Sequence, residues 1–460
     1  MKRIFPGYHR PTKDEFEKLW QTCTFVLDAN VLLNLYRYPE QARKDLLKVL
    51  NKVRDRIWIP YQAALEFERN RLIVIAEQTT RFSDVRKLLQ EVESKLNTGL
   101  EGLQLSKRHS SIKPELFLEK ASKLFSEFND QLEQLEKSHA DVFGEDKLRG
   151  EIIELVQGRI GDPPKSQEEL DSIYRDGEIR YVARVPPGYL DSPKAKSIEL
   201  DMFSYGGLMF RRSFGDLILW KQVIRRAKDA QLKALVIVTD DKKEDWWLIV
   251  DSKGPKTIGP RPELAEEIVR ESGVELFYIY DSVRFLEYAR QFLSVGVKEE
   301  SVNAVKEVAE DRKQKIGALA RAFQVEGAVE NWLRSLYPDA TIEAGKGVPD
   351  FIVTKADGQR TGYEVKFLGV RGSMAHILYN TVSTARAASE STPKLSDVTI
   401  VFVFEDQAVM ADLILKLQGA TSKLKNLGRG LVTCIVIGGL TESSDEDKSC
   451  EFLPAWKQML

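Results

Sequence analysis

Residues 24–38 read TFVLDANVLLNLYRY, and the change of character inside that stretch decides the fold. Thr24 to Leu27 form a short apolar run rich in β-branched and aromatic residues, which is strand composition. The run stops at a carboxylate, Asp28. A small residue and Asn30 follow, and then apolar side chains fall at helical spacing. The segment is therefore a strand that hands over to a helix through an acid at its carboxyl end. Three more runs share the strand grammar: RIWIP (56–60), ALVIVTDD (234–241) and ELFYIYD (275–281). Helical patterns lie between them, YQAALEFERNRLIVI (61–75) and DLILWKQVIRRAKDA (216–230). Strands alternating with helices mean βαβ units and a parallel sheet, so the N-terminal part is read as an α/β domain.

The alternation is interrupted and then replaced. From about Ile75 to Asp146 the pattern is helical and charge-balanced, and Pro/Gly-rich stretches follow, GDPPKSQEEL (161–170) and ARVPPGYLDSPKAK (183–196). Residues 75–210 are read as an insertion of helical hairpins and then ordered loops within a first domain of 1–295. The charged segment GVKEESVNAVKEVAEDRKQK (296–315) reads as a linker helix, or else as a solvated last helix of the first domain. A second domain, 316–460, opens with the helix AFQVEGAVENWLRSLY. The strands ATIEAG, DFIVT and GYEVKFL come next, then a helix near 375–389. Strand, helix and strand complete it: VTIVFVFE, ADLILKLQGATSKLK and LVTCIVIGG.

A chain of 460 residues exceeds one ordinary core, and 43% hydrophobic with 30% charged residues describes a globular protein. The net charge of −2 rules out a bulk basic field, so any nucleic-acid site must be a local patch or carry metal ions. Cys23, Cys434 and Cys450 are scattered and odd in number, which favours neither a disulfide framework nor a zinc site. His9, His109, His139 and His376 are too dispersed for a metal cluster. The first twenty residues carry no apolar leader core, and the longest apolar runs are strand-length. A reducing cytoplasmic location and no membrane partner are expected.

The acids carry the chemistry. Asp28 alone would be an ordinary helix cap. Taken with Asn30, with Glu66 in YQAALEFERNR, with Asp216 opening its helix and with VIVTDDKKEDWW (236–247), it resembles the PIN-domain nucleases. The last string is similar to the PIN-like branch that carries a long insertion. The resemblance covers about residues 20–290 outside the insertion and implies a three-layer parallel-sheet domain. By that resemblance Asp28 binds a catalytic metal with Asn30 in support, and Glu66, Asp216 and Asp240 complete the acid set. Four carboxylates in one cleft repel unless neutralised, which calls for Mg²⁺ or Mn²⁺. Asp241 and Asp245 are second-sphere acids or turn residues, with Asp245 favoured as an auxiliary ligand. Arg69, Asn70 and Arg71 follow Glu66, and Arg211 and Arg212 precede Asp216. With Asn30, the arginines 69, 71, 211 and 212 are the expected substrate contacts, against a reading as solvated surface.

A second acidic set lies in GKGVPDFIVTKADGQRTGYEVKFLG (345–369). Pro349-Asp350 on one strand and Glu364-Val365-Lys366 on the next resemble the PD-(D/E)XK nucleases, implying a restriction-endonuclease-like αβ domain over about 320–440. Glu364 and Lys366 share a strand face because side chains alternate. Asp350 and Glu364 would share the metal, with Lys366 beside the attacking water. Glu326 or Glu330 matches the acid of that family's first helix, and Glu330 is taken as a further ligand. Asn380, Thr384 and Arg386 are stand-ins for the family's helical Gln, and His376 is a substrate contact or a packing residue. A tight turn at Asp357-Gly358 would set Asp350 opposite Val365. A one-residue slip sets it opposite Glu364, and the slipped register is expected, since only it lets the two acids hold one ion.

Together these readings describe a metal-dependent nuclease with two acidic centres acting on RNA, DNA or both. The pairing suggests, by analogy of fold alone, a toxin-like or mobile-element defence effector. Two readings stand against it: one live centre with the other domain binding nucleic acid, and a non-catalytic interaction protein. Self-association or a partner protein would use the 75–210 insertion.

Overall fold

The computed structural model describes residues 4–103, 113–138, 142–194, 201–345, 347–368, 381, 395–418, 432–442 and 450–459. His109, His139, His376, Asn380, Thr384 and Arg386 lie outside the described residues. The chain divides into two compact units, Met1–Glu310 and Asp311–Leu460. Among the described residues no helix is long and apolar enough to cross a membrane.

The first unit opens with α1 (Lys13–Thr22), started by a reciprocal cap in which the Thr12 hydroxyl accepts from the Glu15 amide and Glu15 accepts from the Thr12 amide. β1 (Thr24–Leu27), α2 (Ala29–Asn34), α3 (Glu40–Lys52) and β2 (Ile57–Trp58) follow. The insertion region carries α4 (Tyr61–Gly102), α5 (Glu115–Ser138), α6 (Lys147–Val156), α7 (Gln167–Val182) and the hairpin β3 (Met202–Tyr205) and β4 (Leu208–Arg211). The fold then resumes with α8 (Gly215–Asp229), β5 (Ala234–Val238), the hairpin β6 (Trp247–Asp251) and β7 (Pro255–Pro260), α9 (Pro262–Ser272), β8 (Leu276–Tyr280), α10 (Ser282–Phe292) and α11 (Glu299–Leu336).

The four expected strand runs form one parallel sheet in the order β2-β1-β5-β8. Every residue of β5 is buried, as a strand covered on both faces requires. The chain moves outward from β1 to β2 and then returns past β1 to β5. The order therefore reverses between β1 and β5, where the carboxyl ends of parallel strands open a crevice. Behind the sheet Trp20, Phe25 and Phe285 pack together, and the Trp20 indole N–H donates to the Tyr280 hydroxyl at 3.2 Å.

Three stretches depart from the sequence reading. Residues 146–210, expected as loops, contain α6, α7 and the β3–β4 hairpin. Their apolar positions are few, but they close a second core of Leu65, Leu170, Tyr174, Phe210, Phe214, Leu217 and Ile218. Gly177 makes the contact possible, since a Cβ there would come within 2.4 Å of the Phe214 ring. Gly206 and Gly207, at φ of 60° and 78°, supply the two-residue hairpin turn between β3 and β4. The segment 296–315, expected as a linker helix or a solvated last helix of the first domain, is helical from Glu299, but its Val297, Val302 and Val305 are buried in the first unit's core. The Ser301 hydroxyl also donates to Asp45 at 2.7 Å. Charged composition hid this narrow valine stripe. The β6–β7 hairpin also went unread in the sequence.

In the second unit, the end of α11 is followed by β9 (Thr341–Ala344), β10 (Phe351–Thr354), β11 (Arg360–Leu368), β12 (Asp397–Phe404), α12 (Gln407–Gln418), β13 (Val432–Glu442) and β14 (Cys450–Met459). They form a six-stranded sheet, β14-β13-β12-β11-β10-β9, with β11, β12 and β13 parallel. One face packs on Val325, Val329 and Leu333 of α11, the other on Leu413 and Leu417 of α12. β14 was not anticipated, because Pro454 interrupts its pattern. It is an edge strand, and a register shift in β13 falls at Gly438, the residue paired with Pro454. In the β10–β11 hairpin Phe351 pairs with Tyr363 and Thr354 with Arg360, a register that continues to Asp350 opposite Glu364. This is the slipped alignment. A three-residue loop, Ala356-Asp357-Gly358, produces it, closed by the Lys355 amide on the Gln359 carbonyl at 3.0 Å with Gly358 at φ 82°.

Candidate active site

Asp28 stands at the carboxyl end of β1 and caps α2, accepting from the Ala29 amide at 2.6 Å. The Thr239 hydroxyl at the end of β5 donates to its other oxygen at 2.6 Å, and the Asn30 amide donates there too. Asn30 also donates to the Thr239 hydroxyl at 3.0 Å and accepts from the Asp240 amide at 2.8 Å. Its side chain thus ties the two strand ends together, and its polar atoms are engaged within the protein rather than offered to a substrate.

The two neighbouring acids after β5 do different things. Asp240 accepts from the Ser282 amide at 2.9 Å, the Ser282 hydroxyl at 2.7 Å and the Asn34 side chain at 2.7 Å. It clamps the start of α10 to the end of α2. Asp241, one residue on, is the acid whose charge acts on Asp28 and Asp245 and which meets Lys243 at 2.7 Å. Asp241, not Asp240, is therefore the acid of this strand end that joins the cluster. Burial first, and then the Glu66 charge, raise the Asp28 carboxyl; the Thr239 hydroxyl bond pulls it back, and Asp216 and Asp241 push it further up. Glu66, exposed on α4, and Asp216, in the first turn of α8, thus reach the same crevice from separate elements.

Two further acids complete the setting. Asp245 is wholly buried, accepts from the Gly188 amide at 2.9 Å and leaves its Oδ1 without a partner among the described residues. Burial, then Asp216, push it up to about 6 against the pull of Lys243. Gly188 must be glycine here: its φ is 91°, and a Cβ would lie 2.5 Å from the Tyr181 hydroxyl and 3.2 Å from Asp216. Asp191, which sequence reasoning missed, meets the Lys243 ammonium at 2.8 Å. The signal available was weak, an acid just after the Pro-Pro-Gly turn. Lys243 was also unread. It reaches Asp191, Asp216 at 3.3 Å and Asp241. Burial alone would lower its pKa, but the carboxylates of Asp216, Asp241 and Asp191 outweigh that and raise it. The tryptophans of the same string fix the loop, with the Trp246 indole N–H donating to Asp216 at 3.2 Å and Trp247 to the Asp241 carbonyl.

The donor set is all oxygen and strongly anionic, which suits a hard divalent cation, and the unpartnered oxygen of Asp245 is one such a cation or its water would satisfy. Among the described residues no three His, Cys, Asp or Glu side chains already stand as a finished metal cage. The acids are gathered, and three of them are turned onto Lys243.

The arginines divide. Arg71 pairs with Asp146 and Glu68, and Arg211 with Glu178 and Asp201, so both are committed to structure. Arg69 instead lies 3.3 Å above the Phe203 ring of β3, with Arg212 5.5 Å from the same ring. Tyr205, at the hairpin tip, is 55% exposed. This pair of guanidinia and the aromatic hairpin stand beside Glu66, one helical turn before Arg69.

In the second unit the Asp350 carboxylate accepts from the Val365 amide at 2.8 Å. Glu364 is buried; one oxygen takes the Lys366 ammonium and the other has no partner among the described residues. Burial raises the Glu364 carboxyl, Lys366 opposes this, and Asp350 adds to it. Glu330 pairs with Arg334 at 2.7 Å on its own helix, with no bond to Asp350 or Glu364 among the described residues.

A family model described as PIN like domain matches residues 24–264. That is more than half of the 460 residues, and it includes every acid of the first cluster. No curated protein and no solved structure matches the chain.

Proposed function

The chain belongs to the PIN-like domain family, and from that premise we propose that its first unit is a divalent-metal-dependent nuclease centred on Asp28, Glu66, Asp216 and Asp241. PIN-like domains are in general metal-dependent nucleases. The observation that carries the reading is the charge of Glu66, Asp216 and Asp241, from three separate elements, acting on Asp28 at the point where the strand order reverses. A bound Mg²⁺ or Mn²⁺ would acidify a water and stabilise charge on a phosphodiester. The chain's own part is positional. Asn30 and Thr239 orient Asp28, Asp240 holds α2 and α10 in place, and Trp246 steadies Asp216. Arg69 and Arg212, with Phe203 and Tyr205, are the proposed contacts to nucleic acid, phosphate to guanidinium and base to ring.

We propose a second centre of the PD-(D/E)XK kind at Asp350, Glu364 and Lys366. It is supported by the register that sets Asp350 opposite Glu364 and by the buried, unpartnered Glu364 oxygen. The decisive test incubates the full chain with labelled RNA and labelled DNA, with Mn²⁺ or EDTA. Asp28→Ala and Glu364→Ala should each remove one metal-dependent activity. Cleavage unchanged in both variants would refute the assignment.

A further inference from the structure

Lys243 sits inside an acid cluster where a metal ion would be expected. Its ammonium is 2.7 Å from Asp241, 2.8 Å from Asp191 and 3.3 Å from Asp216. Ion pairs at an exposed surface hold long side chains loosely, at little gain. Here three elements converge on one ammonium: the short 3-10 helix that carries Asp191, the start of α8, and the loop after β5. The loop itself is pinned. The Lys243 amide donates to Asp241 at 2.9 Å and the next turn is anchored by Trp246 on Asp216. Lys243 is therefore delivered to the cluster by its backbone.

Charge balance shows what this ammonium leaves undone. Asp191, Asp216 and Asp241 share the Lys243 ammonium, and Asp245, which lies within reach of the Asp216 charge, still carries a buried oxygen unpartnered among the described residues. The cluster remains anionic enough to draw a divalent ion.

We propose that Lys243 is the resident cation of this cluster, holding on Asp191, Asp216 and Asp241 the position a divalent ion would otherwise take. The inference rests on the metal-centre reading above and adds the number of ions. Lys243 is a positioning residue, acting on the metal through the carboxylates it neutralises.

The test is equilibrium Mn²⁺ binding to the full chain, with Mn²⁺-induced thermal shifts measured in parallel. Lys243→Met and Lys243→Gln should each bind one more ion per chain than wild type. Their half-saturating Mn²⁺ should fall about tenfold or more, since a competing unit charge about 4 Å away has gone. Lys243→Arg, which keeps the cation, should keep the wild-type count. A neutral variant that melts early without metal and is rescued by Mn²⁺ also supports the inference. Unchanged stoichiometry and affinity in both neutral variants overturns it, while metal-dependent cleavage by wild type would leave the nuclease reading intact. Conversely, a wild type that binds no ion beside a Lys243→Met that binds one would refute the nuclease reading and keep the lysine's role. Neutral variants that stay unfolded at saturating Mn²⁺ overturn it too, because a divalent ion then fails to replace the ammonium.

Discussion

The two acid sites of this protein share parts and differ in how those parts are brought together. Each has a buried carboxylate with one oxygen unpartnered among the described residues, Asp245 in the first unit and Glu364 in the second, and each has a lysine, Lys243 on the nearby Asp241 and Lys366 on Glu364 itself. In the second unit the whole set lies on one hairpin, and a three-residue loop fixes its geometry. In the first unit the acids run from Asp28 to Asp245 and arrive on five separate segments. A local site can be built correctly by its turn alone. A dispersed site exists only if the sheet, the insertion and the loop after β5 all form. The lesson is that mutations outside the acids should damage the first site more readily than the second.

Asp28→Ala offers the largest break in that comparison. It should lower the first centre's cleavage roughly hundreds-fold while leaving any Glu364-dependent activity intact, measured as initial rates on labelled RNA and DNA. Asp241→Ala should do nearly the same, whereas a smaller loss than that of Asp240→Ala would reverse the roles given to these neighbours.

Asp240→Ala is the next test, and its main effect should be on stability. It strands two Ser282 donors and the Asn34 amide, so a loss of about 1–3 kcal/mol is expected in denaturant unfolding of the first unit.

The buried acids make the metal-free protein sensitive to pH. Asp245 is raised from 3.8 to about 6, so the folded state holds its proton more tightly than the unfolded chain does. Stability is therefore lost as pH rises through that window, and Asp28 and Glu364, raised in the same direction, act alike. In EDTA the chain should melt higher near about pH 5 than near about pH 7, and Asp245→Asn should shrink the difference. A melting temperature that climbs steadily from pH 5 to 7, unaltered by Asp245→Asn, would contradict this.

The smallest effect belongs to the hairpin. Tyr205→Ala and Arg212→Gln should weaken binding of a single-stranded oligonucleotide several-fold, since base stacking contributes about 1–3 kcal/mol and an Arg–phosphate contact should lower the salt slope by about one. Equal binding by both variants would remove the hairpin from the substrate path.

Much of this was legible in the chain. The four strand runs, the acids at their ends and the parallel sheet follow from apolar runs that stop at carboxylates. The β10–β11 register is the one expected if Asp350 is to stand opposite Glu364. Other features were illegible for physical reasons. The second core of the insertion rests on residues such as Leu170, Tyr174 and Phe210, too sparse to give a periodic signal among so many charges. The valines at 297, 302 and 305 are hidden in the same way.

Sequence by itself determined which side chains this protein has for chemistry and which strands carry them, because a strand's composition and its terminal acid are local properties. Tertiary structure alone decided their roles. It directed Asp240 onto Ser282 and left Asp241 to the cluster, although the two are adjacent and chemically identical. It brought Asp191 from the insertion to Lys243, and it spent Asn30 on joining two strand ends. The reason is that a carboxylate's role is set by the donors and charges within a few ångströms, and here those neighbours come from segments more than two hundred residues away.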